Sequence, residues 1–269
     1  MRPLADLAMA DAARVRLVLT DIDDTLTHAG RLPADAYRAL EDLSQAGFAV
    51  AAITGRPAGW CDMIARFWPV AGVVGENGAF YFAYDVANRK MRRAFAATAA
   101  ERAENHRRLE RVRARVLAEV PGAGVSADQA YREADLAIDF CEDVAPLPRQ
   151  AIKRIQQIFE EEGATAKISS IHVNGWYGAY DKLSMTRRFA REVLGLDIDA
   201  ERDRALFVGD SPNDAPMFAF FPLACGVSGV RAFADEIEAP PAYVTQGPGG
   251  SGFVEVAERL IAARRAAAP

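Results

Sequence analysis

Cysteine is scarce in this chain. Its three cysteines, Cys61, Cys141 and Cys225, are far apart, odd in number and without metal-ligand spacing. That argues against a disulfide framework or a thiolate zinc site and fits a reducing cytoplasm. Long apolar runs are also missing. None approaches the roughly 18 or more residues of a membrane span, so no membrane partner is expected. The opening stretch MRPLADLAMADAARVR has no signal-peptide apolar core and carries acids; it reads as a short, loose leader. An excess of positive charge is absent as well. Lys and Arg number 32 against 37 Asp and Glu, a net charge of −5, which lacks the basic footprint of a nucleic-acid binder. There is no strong repeat and no low-complexity segment, and nothing specifies an oligomeric state. What remains is a 269-residue chain, 51% hydrophobic, long enough for one large domain or two modest ones.

The first third alternates strand and helix patterns. RVRLVLTD reads as a strand, PADAYRALEDLSQAG as an amphipathic helix closed by Gly47, and FAVAAITG as a second strand. Pro57 suits the first position of the next helix. AGVVGENGAFYF predicts two short strands around a turn. Strands separated by helices imply right-handed βαβ units and a parallel sheet covered on both faces. The middle differs: a long charged helix near 98–118, strands in GVSADQA and ADLAIDFCE, a helix near 148–162, then strands in ATAKIS and IHVNGWYG. This is helix-strand-strand twice over, an α+β module. KLSMTRRFAREVLG, RALFVGD, PLACGVSG, AYVTQ and a closing helix return to the first pattern. The expected architecture is a three-layer, Rossmann-like α/β/α core with a parallel sheet, residues 1–83 and 181–269, interrupted by an inserted α+β domain, residues 84–180.

The stretch LVLTDIDDTLTHAG ends a core strand in a burst of carboxylates, Asp21, Asp23 and Asp24. Like charges packed this closely repel, and removing them from water costs more still, so a positive partner is required. In open α/β sheets ligands bind beyond the carboxyl ends of strands. Asp21 and Asp23, Thr54, and Asp210 with Asp214 all fall at such ends, and Lys182 opens the helix after the insert. Carboxylates, a hydroxyl and an ammonium suit a Mg²⁺ ion and a phosphoryl group.

These residues form an ordered set. Asp-Ile-Asp-Asp-Thr at 21–25, Thr54 in ITGRP, Lys182 and GDSPND at 209–214 resemble the four motifs of haloacid dehalogenase-type (HAD) phosphotransferases. The insert lies where the type C2 cap of that superfamily sits. Its two helix-strand-strand units resemble the C2B cap of subfamily IIB, which holds Cof-type, sucrose-phosphate and trehalose-phosphate phosphatases and phosphomannomutases. The resemblance implies that Asp21 is the nucleophile and that Asp23 is the acid and then the base. It implies that Thr54 and nearby backbone N–H groups hold the phosphoryl oxygens, with Gly55 and Arg56 as further substrate-binding candidates, and that Lys182 neutralises charge. Asp210 would bind Mg²⁺ with Asp21 and the Asp23 backbone carbonyl, and Asp214 would support the metal directly or from behind, while Ser211 and Asn213 shape the loop. The expected activity is a cytoplasmic, Mg²⁺-dependent phosphatase for a small phosphorylated metabolite, a sugar phosphate by subgroup analogy. A phosphomutase would use the same residues, and a silent binding protein should lack one of them.

Other residues carry two readings each. Arg56 either reaches substrate or the cap, or is a surface arginine. Asn77 either faces the cap or is a left-handed turn residue. Alternation places His172 and Asn174 on one face of a strand, either toward the leaving group or on a solvated hairpin face. Trp176 and Tyr177 suit hinge or core packing better than sugar stacking. Asp24 fits a turn. The basic run RRLERVRAR is interleaved with glutamates and reads as a solvated helix face.

Overall fold

The computed structural model describes residues 1–267. The first segment runs β1 (Arg2–Pro3), α1 (Met9–Arg14), β2 (Leu17–Thr20), α2 (Ala34–Gln45), β3 (Ala49–Ile53), α3 (Ala58–Phe67), β4 (Gly72–Gly75), β5 (Phe80–Asp85) and β6 (Lys90–Phe95). An insert follows, with α4 (Ala99–Glu119), β7 (Gly124–Val125), β8 (Asp135–Asp139), α5 (Arg149–Glu161), β9 (Thr165–Ile168) and β10 (His172–Trp176). The chain then returns through α6 (Lys182–Phe189), β11 (Ala205–Gly209), α7 (Ala215–Phe220), β12 (Leu223–Gly226), β13 (Tyr243–Val244) and α8 (Gly249–Ala267).

One sheet has the order β1-β13-β12-β11-β2-β3-β4-β5-β6. It is parallel from β1 to β4 and antiparallel at β5 and β6. Both faces are covered, which explains the unbroken apolar strands. Val18, Val50 and Val208 pack with Leu40, Ile64, Phe253 and Leu260 from α2, α3 and α8. Leu19, Ile53 and Phe207 point the other way, onto Met185, Phe189 and Met217 from α6 and α7. The chain leaves β2 toward β3 on one side and returns through β11 on the other. The carboxyl ends of β2 and β11 therefore flank the topological switch point.

The insert builds a second sheet, β7-β8-β10-β9, antiparallel throughout. Leu136, Ile138 and Val173 face α4 and α5 through Leu109, Val112, Ile155 and Phe159. The period of two then turns Asp135, Asp139, His172 and Asn174 to the opposite face. All four are buried.

Two expectations need correction. The opening residues are not a loose leader: β1 pairs with β13, Leu7 and Ala12 are fully buried, and Arg259 donates to the Leu7 carbonyl at 3.2 Å. Their apolar positions are too few to read as an element but suffice to seal the base of α8. The large sheet also continues past residue 83, because β6 pairs with β5 out to Phe95. Lys90, Arg92 and Arg93 hide this strand from a hydrophobic reading, yet such charges are what an exposed edge strand needs against edge-to-edge pairing. Among the described residues, no helix is long and apolar enough to cross a membrane.

Candidate active site

Asp21 leaves β2 with its N–H still donating to Val208 of β11 at 2.9 Å, so the strand pair aims it. Its Oδ1 accepts from Lys182 Nζ at 3.1 Å, and the same ammonium donates to Asp214 Oδ1 at 2.8 Å. Lys182 is the first residue of α6, whose start is fixed by a capping box between Asp181 and Ser184. The other oxygen of Asp214 accepts the N–H of Asp210 at 3.1 Å, which shapes the loop after β11. Asp210 Oδ1 accepts from Thr25 Oγ1 at 3.2 Å. Ser211 Oγ donates to Asn213 Oδ1 at 2.9 Å. Asp24 adopts φ 53°, the left-handed geometry of its turn reading.

Oxygen atoms of Asp21, Asp210 and Asp214 all lie within 4.8 Å of one another, and all three side chains are buried. Burial pushes the Asp21 carboxyl up to about 7; Lys182 opposes the rise, and Asp214 and Asp23 add to it. Burial, with Asp214 and Asp21 next, drives Asp210 well above the usual carboxylate range. Burial works against the Lys182 ammonium, but Asp21 and Asp214 outweigh it and raise its pKa. One ammonium thus undercompensates three buried carboxylates. The all-oxygen donor set and the missing charge fit a hard divalent cation such as Mg²⁺.

Asp23 turns to a different partner. Arg56 Nε donates to its Oδ1 at 3.1 Å and Oδ2 at 3.0 Å, and Nη2 donates to Oδ1 at 2.8 Å. Arg56 is buried, not a surface arginine, and its guanidinium lies 4.4 Å from the Trp60 ring centre. Thr54 Oγ1 accepts the N–H of Arg56 at 3.0 Å, and its carbonyl accepts that of Asn77 at 3.0 Å. Asn77 has φ 54° and packs its amide against Gly55, so it is a left-handed turn residue behind the loop.

The open face of the insert's sheet covers this edge. Between the two lies a cavity of about 20 Å³, space for about one water. Asp21, Asp23, Gly55, Arg56, Ser211 and Asn213 line it from below, and His172 and Asn174 from above. The solvated-face reading of His172 and Asn174 therefore fails. Trp176 and Tyr177 pack as expected, Trp176 stacked on Tyr180 at 5.7 Å and Tyr177 in the insert's core. The basic run of α4 is a solvated face, with exposed pairs such as Arg113 and Glu110.

Sequence reasoning missed several residues that join the two parts. Arg132 lines the cavity and donates to the Gly55 carbonyl at 2.9 Å. Glu142 accepts from Arg56 Nη2 at 2.9 Å. Glu76 is fully buried and accepts the N–H groups of Ala58 (3.0 Å), Glu133 (2.9 Å), Ala134 (2.7 Å) and Asp135 (3.2 Å). A polar residue in a turn carries no periodic signal. Only the odd charge inside GENG hinted at Glu76.

Solved structures share this architecture. A Thermoplasma acidophilum protein is 19% identical with a TM-score of 0.69, over 91% of this chain and 98% of its own. A Plasmodium vivax protein described as a HAD/COF-like hydrolase is 16% identical with a TM-score of 0.67, over 95% and 99%. The sucrose-phosphatase of Synechocystis, solved with sucrose and phosphate, is 15% identical with a TM-score of 0.59, over 91% and 97%. No family model matches the sequence, and no curated protein does. The chain has the haloacid dehalogenase-like fold with an inserted cap, as its motifs implied.

Proposed function

We propose that this protein is a Mg²⁺-dependent phosphomonoesterase acting on a small phosphorylated metabolite, a sugar phosphate, through an aspartyl-phosphate. One observation carries the reading. Lys182 binds both Asp21 and Asp214 beside Asp210, at the strand ends under the cap. The sucrose-phosphatase likeness supports the substrate class.

Asp21 would attack phosphorus, forming an Oδ–P bond as the bond from phosphorus to the leaving oxygen breaks. Asp23, two residues on, would start protonated, give that oxygen its proton and so become the carboxylate that Arg56 grips. It would then take a proton from the water that hydrolyses the aspartyl-phosphate. Lys182 would hold charge on Asp21 and the phosphoryl oxygens. Thr54, Gly55 and Arg56 would frame the phosphoryl group, and Asn213 would border it. A bound Mg²⁺ would supply charge neutralisation at the phosphoryl oxygens. Asp21 and Asp210, with the Asp23 backbone carbonyl, would hold it, and Asp214 would support the loop. The cap would exclude bulk water, with His172 and Asn174 toward the leaving group.

The test is phosphate release from a panel of phosphorylated metabolites, with and without Mg²⁺, beside Asp21→Asn. Release requiring both Mg²⁺ and Asp21 is expected. Turnover that survives Asp21→Asn would remove Asp21 as nucleophile.

A further inference from the structure

We propose that Glu142 is the specificity-determining residue for the leaving group, selecting an uncharged, hydroxyl-bearing group over one with a second negative charge. This rests on the phosphatase reading above.

Glu142 lies on the loop after β8, and that loop is pinned. The buried Asp139 accepts the backbone N–H groups of Cys141 (2.9 Å) and Glu142 (2.8 Å) on Oδ1 and of Asp143 (2.8 Å) on Oδ2. The loop is thus positioned before any ligand arrives. From it, Glu142 reaches between cap and core. Its Oε1 accepts from Arg56, and its Oε2 lies 3.0 Å from His172 Nε2. Arg56 and His172 both line the cavity above Asp21 and Asp23. Glu142 therefore sits immediately behind the cavity wall, in contact with one residue of the core side and one of the cap side.

The charge balance of that wall decides what it accepts. Its guanidiniums, Arg56 and Arg132, are both committed. Arg56 holds Asp23 and Glu142 and lies 3.6 Å from Asp128. Arg132 donates to Asp128 at 3.1 Å, to Asp135 at 3.0 Å and to the Gly55 carbonyl. Even with Asp23 protonated for its role as acid, two guanidiniums meet three carboxylates, Asp128, Asp135 and Glu142. A second anion on the leaving group would find no unpaired cation here and would approach Glu142, a like charge. A hydroxyl meets no such conflict. It can donate to a carboxylate and accept from an imidazole, amide or hydroxyl donor, and His172, Asn174, Ser169 and Ser170 stand on the same wall.

The experiment is steady-state kinetics of the full-length protein with Mg²⁺ on three probes. Glucose 6-phosphate has a neutral hydroxylated leaving group, 3-phosphoglycerate carries a carboxylate, and p-nitrophenyl phosphate reports turnover without either. Wild type should favour glucose 6-phosphate over 3-phosphoglycerate by at least about tenfold in kcat/KM. Glu142→Gln should shrink that ratio about tenfold, chiefly through a lower KM for 3-phosphoglycerate, and Glu142→Asp should preserve the preference. A wild type that prefers 3-phosphoglycerate, or a Glu142→Gln variant that changes both substrates by one common factor, would overturn the inference. Release from p-nitrophenyl phosphate without selection between the other two overturns this inference alone. No release from any of the three overturns the phosphatase reading with it.

Discussion

The ammonium of Lys182 lies 2.8 Å from Asp214 and 3.1 Å from Asp21, with all three side chains buried. Removing one partner of a buried charge pair leaves the others uncompensated, a cost of about 3–5 kcal/mol. Lys182→Ala should therefore lower the thermal midpoint in metal-free buffer and reduce kcat by about 100-fold or more. Added Mg²⁺ should restore part of the stability but not the rate. A near-normal rate would place the essential cation elsewhere.

Metal removal should make stability depend on pH in an unusual direction. Burial first, against the pull of Lys182, raises Asp21 from 3.8 to about 7. Between those values the folded chain keeps a proton that the unfolded chain has released. Stability should then be fully present below the lower value and decline as pH rises toward the upper one, by up to about 1.4 kcal/mol per pH unit for one proton. Thermal melts in EDTA at pH 5 and 8 should show the fall. Asp21→Asn should lessen it, the buried Asp210 supplying the remainder, and Mg²⁺ at pH 8 should reverse it.

Gly78 has φ +107°, and a Cβ there would lie 2.0 Å from the Asp181 carbonyl oxygen. Asp181 caps the helix that begins with Lys182. Gly78→Ala should thus destabilise the fold by more than about 1 kcal/mol and also lower kcat, because the backbone that yields carries the ammonium. A variant that melts early yet keeps full kcat would separate this turn from the site.

Glu76→Gln should weaken the seam between core and cap. Four backbone donors share its two carboxylate oxygens. An amide has only one acceptor oxygen, so buried N–H groups lose partners at about 1–3 kcal/mol each. Hydrogen exchange should speed up at residues 133–135 more than in β2 or β11. Uniform acceleration would mean a global loss instead.

Much of this molecule was legible because its core obeys simple periodicities. Fully buried parallel strands read as apolar runs, and the polar residues that end them, Asp21, Thr54 and Asp210, stand out by contrast. Lys182 was legible through its place at a helix start. The short first strand and the basic β6 were not, since neither carries an apolar pattern. Glu76, Arg132 and Glu142 were not, because the partners that tie them across the seam are far along the chain; Glu142 and Arg56 are 86 residues apart, and Arg132 and the Gly55 carbonyl are 77. Such pairings exist only after the cap docks, and no local spacing encodes them.

The placement of β2 also has a consequence for synthesis. It is hydrogen-bonded to β3, made shortly afterwards, and to β11. The separation of Thr25 and Asp210, 185 residues, measures the wait for that second neighbour. At roughly 5–20 residues per second the ribosome takes about 10–40 s to supply it. For that interval one edge of the central strand, and Asp21 at its tip, lack their lasting partners. The insert between them has its own sheet and apolar core and can fold in the meantime. A chaperone that shields a nascent β edge would act on this chain from the emergence of β2 until β11 follows the cap.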